Sequence, residues 1–138
     1  QLDLMYHYFG EIENAHGFSI NTNELYSADD VVSGQILFKN KIVFNGTWCF
    51  NIGENSPEDF CEIIGEKGRI QFSFFDKQEV KIISNSEEQI IPFEKLMHAQ
   101  QPMIEKVVNY FLDKGSNPCP VEEGVKVMEI MEKFTAKK

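Results

Sequence analysis

At Gly10 the hydrophobic pattern of this chain changes its period, and that switch constrains most of what it can fold into. Before it, Leu2, Met5, Tyr6 and Phe9 fall at i, i+3, i+4 and i+7, the apolar stripe of an amphipathic helix. Gly10 suits the left-handed residue that ends such a helix. After it, Ile12, Asn14, His16, Phe18 and Ile20 lie on one side of a strand, and Glu13, Ala15, Gly17 and Ser19 on the other. Asn21-Thr22-Asn23 closes that strand with turn chemistry. Further strands are predicted over Val31 to Lys39, Ile42 to Ile52, Phe60 to Ile64, Arg69 to Phe75, Val80 to Ile83 and Gln89 to Phe93, with a polar break from Gly53 to Pro57. The links, such as Asn40-Lys41 and Gly65-Glu66-Lys67-Gly68, are too short for parallel crossovers, so the strands pair antiparallel.

The tail returns to the helical period. Ile104, Val107, Val108, Phe111 and Leu112 form a stripe that stops before Gly115. Pro120 opens a last helix in which Val121, Val125, Met128 and Met131 or Phe134 are expected to face inward, while Glu122 and Glu123 favour the positive end of the helix dipole. The result is an α+β fold: an open-faced, mainly antiparallel sheet of about six strands with helices packed on one face. In the third strand Phe44, Trp48, Phe50 and Ile52 share one side. Asn45, Thr47, Cys49 and Asn51 share the other, and the same parity adds Gln71, Ser73 and Phe75 against Ile70, Phe72 and Phe74. That mixed face is expected to stay uncovered by helices and to pair with a second copy, making a homo-oligomer.

Composition narrows the function classes. The balance of 13 Lys+Arg against 22 Asp+Glu gives a net charge of −9, which repels phosphate backbones and argues against nucleic acid. No apolar run approaches the ~20 residues of a membrane span. Cys49, Cys61 and Cys119 are odd in number and widely spaced, which reads as reduced thiols in a cytoplasmic protein without a metal site. His7, His16 and His98 are scattered, with no pair at ligand spacing.

Several motifs have plain readings. Gly65-Glu66-Lys67-Gly68 lacks the Lys-Ser/Thr of a phosphate loop and reads as a hairpin turn, and no Gly-x-Gly-x-x-Gly follows a strand. Asp29-Asp30 and Glu87-Glu88 read as solvated charges that discourage edge pairing. Asn45-Gly46-Thr47 fits the glycosylation pattern inside a strand, a chance match. Asp3 differs, because it shares a helix face with His7 and with the residue immediately before Gln1. A carboxylate there can orient a general acid/base on the preceding turn, or be a solvated helix residue. No Met and no Ser/Thr/Asp/Asn cap precede Gln1, so the helix reads as already under way in a longer protein.

Gln1-Leu2-Asp3-Leu4-Met5 with Gly10-Glu11-Ile12 resembles a segment of the glucose-fructose oxidoreductase/inositol dehydrogenase (Gfo/Idh/MocA) family. Phe38-Lys39-Asn40 followed by Val43 to Phe50, the hairpin from Cys61 to Ile70, and the stretch from Pro118 to Met131 are similar to later motifs of that family, in the same order. The resemblance implies the C-terminal substrate and oligomerisation domain, residues 1–138, of a two-domain NAD(P)-dependent dehydrogenase acting on a sugar, cyclitol or similar polyol. It implies that NAD or NADP is held by an N-terminal dinucleotide-binding domain outside this chain, which by itself binds no cofactor and is inactive. The family's catalytic Lys, Asp and His would likewise lie outside, leaving Gln1 and Asp3 beside the substrate and no catalytic residue in the chain. The alternative from another class is a self-contained α+β module that binds a ligand or a partner.

Overall fold

The computed structural model describes residues 1–54 and 57–136; Asn55 and Ser56, inside the polar break, lie outside them. The elements are α1 (Leu2–Phe9), β1 (Ile12–Ile20), β2 (Val31–Phe38), β3 (Val43–Cys49), β4 (Cys61–Gly65), β5 (Gly68–Phe72), β6 (Glu79–Ser84), β7 (Glu87–Pro92), α2 (Gln101–Phe111) and α3 (Val121–Thr135). The fold is α+β, as the change of period predicts. Every pairing is antiparallel, but the strands form two ladders, β1-β2-β3 and β4-β5-β6-β7, rather than one sheet of about six. The chain divides into two compact units, Gln1–Glu54 with Cys119–Lys138, and Asn55–Pro118.

In the first unit the register aligns Gly17, Gly34 and Gly46 across the three strands. Missing side chains make a trough there, and α3 fills it. A Cβ on Gly34 would come within 2.3 Å of Phe134 Cε2, and one on Gly17 within 3.1 Å of the Phe134 Cα. Met5, Ala15, Ile36, Phe38, Ile130 and Phe134, each at most 6% exposed, form the core around this contact. The larger of them contribute roughly 1.5–3 kcal/mol each by leaving water. Helix α1 ends at Gly10 with φ 75°, the positive φ expected of it, although ψ −144° is extended rather than left-handed helical, and its Phe9 ring lies 5.5 Å from that of Phe38.

The trough also decides how α3 is rotated. The helix carries two apolar stripes, and the one that includes Phe134 is turned inward, its ring filling the space above Gly34 while Phe44 and Trp48 cover Gly46. Val121, Val125 and Met128, expected inside, are 71%, 49% and 62% exposed; of the two alternatives Met131 and Phe134, Phe134 is buried and Met131 is 45% exposed, and Ile130 is buried beside Phe134. On β3 the predicted parity holds: Phe44, Gly46 and Trp48 are half-buried, and Asn45, Thr47 and Cys49 are exposed. Phe50 and Ile52 lie beyond the strand and are 68% and 46% exposed.

The β1–β2 connection is wound around Asp30, which is 2% exposed rather than the solvated charge expected. Its carboxylate accepts from the Thr22 backbone N–H (2.8 Å) and hydroxyl (3.0 Å), the Asn23 backbone N–H (3.0 Å) and Asn51 Nδ2 (3.4 Å). A buried anion is tolerated only when donors surround it, and these do. The Thr22 backbone N–H, foremost among them, holds the carboxyl below its ordinary range against the opposing effect of burial.

The second unit is a four-stranded meander followed by α2. Gly65 pairs with Gly68 across the first turn, the hairpin expected there, and Asn85 and Ser86 turn the last with φ 51° and 67°. One side of this ladder is polar: Glu62 accepts from Gln71 (2.7 Å) and faces Arg69 (3.5 Å), and Lys81 pairs with Glu88 (2.6 Å). The predicted inward stripe of α2 is not buried. Ile104, Val108, Phe111 and Leu112 are 50–77% exposed, because amphipathic spacing marks an apolar face without supplying the surface that covers it.

Candidate functional site

Within the first unit, the start of α1, the β2 and β3 strands and the end of α3 enclose a pocket of about 330 Å³. Leu2, Val32, Phe50, Val127, Met131 and Phe134 supply its apolar wall, and Gln1, Asp3 and Thr135 its polar groups. Trp48 joins the two. Its ring lies 6.2 Å from Phe134 and 6.3 Å from Phe44, and its indole N–H donates to Gln1 Oε1. That bond uses the amide oxygen and leaves the Gln1 NH₂ group as a donor. The Thr135 hydroxyl donates to the Met131 carbonyl at 2.9 Å, which leaves its oxygen lone pairs as acceptors. Asp3 makes no hydrogen bond or ion pair among the described residues, so its carboxylate is available to a ligand.

Gln1 and Asp3, singled out from the sequence, are thus brought together. The seven residues expected on one bare face are divided between the two ladders and the segments that follow their strands. Asn45, Thr47 and Cys49 lie on the outer side of β3, and Asn51 lies past the strand end, bonded to Thr22 and Asp30. Gln71 belongs to β5 in the other ladder. Ser73 and Phe75 fall in the β5–β6 connection, where the Ser73 hydroxyl (2.8 Å) and the Phe75 backbone N–H (2.5 Å) donate to Asp59 Oδ2. Sequence parity cannot see where a strand stops. The site residues it passed over are Trp48 and Phe50, assigned to the core, and Thr135; the only signal was that Trp48 carries an N–H in need of a partner.

The sequence matches, over residues 1–138, the Gfo/Idh/MocA family model described as the C-terminal alpha/beta domain of an oxidoreductase family. The chain belongs to that family. An oxidoreductase of Formosa agariphila is 47% identical over 134 residues, covering 97% of this chain and 40% of that protein. The chain therefore spans less than half the length of this Gfo/Idh/MocA relative. Among solved structures, the fold is similar to UDP-N-acetylglucosamine 3-dehydrogenase of Acidithiobacillus ferrooxidans, with TM-score 0.81, 16% identity and coverage of 96% of this chain and 42% of that one. It is also similar to an oxidoreductase of Agrobacterium radiobacter in complex with NAD⁺, L-tartaric acid and magnesium, with TM-score 0.80, 12% identity and coverage of 95% and 42%.

The residues present do not fit the dinucleotide that such a family implies. A pyrophosphate seat needs a glycine-rich turn from a parallel strand into a helix N-terminus. Here every described pairing is antiparallel, and the three helices are entered at Gln1, Gln100 and Pro120. Gly65 and Gly68 close a hairpin whose Lys67 carbonyl accepts from the Ser84 hydroxyl at 2.6 Å. Among the described residues no group of three His, Cys, Asp or Glu is placed to hold a metal, and no helix is long and apolar enough to cross a membrane.

Proposed function

We propose that this Gfo/Idh/MocA domain shapes the substrate pocket of a two-domain NAD(P)-dependent dehydrogenase acting on a sugar, cyclitol or related polyol. The cofactor is carried by a preceding domain, and the chain is inactive alone. The observation that carries the reading is the pocket at Gln1 and Asp3. A polyol ring has an apolar C–H face and a rim of hydroxyls, and this cavity offers an indole and aliphatic wall beside a carboxylate, an amide and a hydroxyl. Its volume is near the low end of the roughly 300–1,000 Å³ of ligand pockets, which favours a single ring. The 3-dehydrogenase activity of the Acidithiobacillus protein and the NAD⁺ bound by the Agrobacterium protein support the same reading.

Within the site, Asp3 accepts hydrogen bonds from substrate hydroxyls and electrostatically supports an acid/base residue one helical turn earlier. Trp48 holds Gln1 so that its amide NH₂ addresses the ring. The thiols of Cys49 and Cys61 carry no disulfide, which fits the reducing cytoplasm. The exposed outer side of β1 to β3, with Phe18, Val43, Asn45, Thr47 and Cys49, is the surface for homo-oligomerisation.

The test is the full-length protein with NAD⁺ or NADP⁺ and a panel of aldoses, cyclitols and hydroxy acids, followed by the absorbance of reduced nicotinamide. Turnover of a polyol supports the reading, and turnover of none across the panel overturns it. Light scattering on the same sample, with Thr47→Arg beside the parent, tests the oligomer: the parent is expected to be a dimer or larger, and the variant smaller.

A further inference from the structure

We propose that Asp30 is a positioning residue for the substrate pocket: from outside the cavity it holds the stretch of chain that sets the Phe50 ring into the wall. The inference rests on the reading of that pocket given above. Phe50 lines the cavity, although β3 ends at Cys49 and the last register pair with β2 is Val31 with Cys49. The ladder that fixes Trp48 stops short of Phe50, so another tether has to place it.

Asp30 supplies that tether on both sides of the ring. Its main-chain carbonyl accepts from the Phe50 N–H at 2.8 Å. Its carboxylate holds the next residue, because Asn51 Nδ2 donates to Oδ2 at 3.4 Å and also to the Thr22 hydroxyl oxygen, whose own proton goes to Oδ1 at 3.0 Å. The Cys49 thiol donates to Asn51 Oδ1 at 2.8 Å, which keeps the amide oxygen towards Cys49 and its NH₂ towards Asp30. Phe50 is thereby clamped between a neighbour still in the ladder and a neighbour tied to the buried anion.

Closing the β1–β2 connection does not require this. The Thr22 and Asn23 backbone N–H groups, at 2.8 and 3.0 Å, already bind that connection to the carboxylate. Asn51 comes from a separate segment beyond β3, and what its bond adds is a link from the carboxylate to the residue beside Phe50. A carboxylate suits both tasks, since its two oxygens accept from two directions where an asparagine amide offers one. Asp30 is 2% exposed, each of these donors belongs to the first unit, and a satisfied buried network of this kind stiffens the backbone around it. The consequence is for affinity. Phe50 has no group that moves a proton, so its ring acts on how tightly a polyol is held, and loosening it raises KM while kcat stays near that of the parent.

The experiment uses the full-length protein with para-trifluoromethylphenylalanine in place of Phe50, a single fluorine probe read by NMR, in the parent background and in Asn51→Ala and Asp30→Asn. The parent resonance is expected to lie away from its position in urea-unfolded protein, and to move towards that position in both variants. Asn51→Ala keeps the Thr22 and Asn23 bonds, so the loop still closes there even if Asp30→Asn does not fold. An unmoved resonance in folded Asn51→Ala overturns the proposal. In parallel, kinetics are measured with NAD⁺ on myo-inositol and D-glucose. Asn51→Ala is expected to raise KM roughly threefold or more with kcat within about twofold of the parent, and to have no further effect in a Phe50→Ala background, because both substitutions act through one ring. Additive effects in the double variant, or a fall in kcat at unchanged KM, assign Asp30 to stability alone and overturn the proposal. The two readings fail separately: a protein that moves its resonance but oxidises no polyol keeps the clamp and loses the substrate assignment, and one that oxidises a polyol with the parental KM in Asn51→Ala does the reverse.

Discussion

Phe134 lies so close over Gly34 that a methyl group on the glycine would sit 2.3 Å from the ring. The ring is 1% exposed and has nowhere to retreat. Gly34→Ala therefore overpacks the first unit by about 1–3 kcal/mol, against a gain of only about 0.4–1 kcal/mol from a stiffer unfolded chain. A clear drop in urea midpoint is expected, and an unchanged or higher midpoint would show that α3 can lift off its trough without cost.

Asp3→Asn in the full-length enzyme is expected to lower kcat/KM on the order of tenfold, less than the roughly 10²–10⁴-fold that direct proton transfer contributes. Because Asp3 is exposed and makes no bond among the described residues, the melting temperature should not move. A rate and pH profile identical to the parent's would return it to an ordinary surface carboxylate.

Trp48→Phe keeps an aromatic wall but deletes the N–H that holds Gln1. The expected result is a raised KM for substrate with a smaller change in kcat, whereas Trp48→Ala, which also removes the wall, should depress both. Equal kinetics for the Phe variant and the parent would mean that the amide needs no tether.

The Tyr6 hydroxyl donates to Glu11 Oε1 at 2.6 Å, and that bond, ahead of burial and the Glu11 charge, raises the Tyr6 pKa from 10.0 to about 12. A pKa raised on folding means stabilisation present below the unfolded value near 10 and lost as pH climbs towards 12. An ultraviolet titration should lose its latest-ionising tyrosine in Tyr6→Phe. If the highest transition survives that substitution, the bond to Glu11 is not holding the proton.

Asp30 runs in the opposite direction. Its carboxyl is lowered on folding, chiefly by the Thr22 backbone N–H, so its contribution is complete above the ordinary carboxylate value and disappears as pH falls through the depressed one. Urea midpoints measured through the acid range should fall more steeply for the parent than for Asp30→Asn, whose side chain cannot titrate. Parallel curves would mean that the loop survives protonation of the acid.

Local chemistry made much of this legible in advance. The alternation from Asn14 to Ile20, the turn at Gly65 to Gly68 and the helix end at Gly10 were readable because each is decided within a few residues, whereas the bulge between Ile12 and Asn14, which puts Ile12 on the side opposite Asn14, was not. The rotation of α3 was not, since it depends on Gly17, Gly34 and Gly46, which are distant in sequence and meet only through strand register. Asp30 was misread for the same reason: its donors at Thr22, Asn23 and Asn51 are gathered by folding. Of the site, Asp3 was visible from helix periodicity, while Trp48 and Thr135 could be placed only once β3 and α3 faced each other.

The connection wound about Asp30 has a base and a tip with opposite tolerances. Thr22, Asn23 and Asn51 are committed to a single buried anion, so the two ends of the loop stay put whatever its crest contains. At the crest Leu25 and Tyr26 project with 79% and 56% of their surface exposed. A foreign peptide grafted between Glu24 and Ser27 would inherit a rigid pedestal without disturbing the strands beneath.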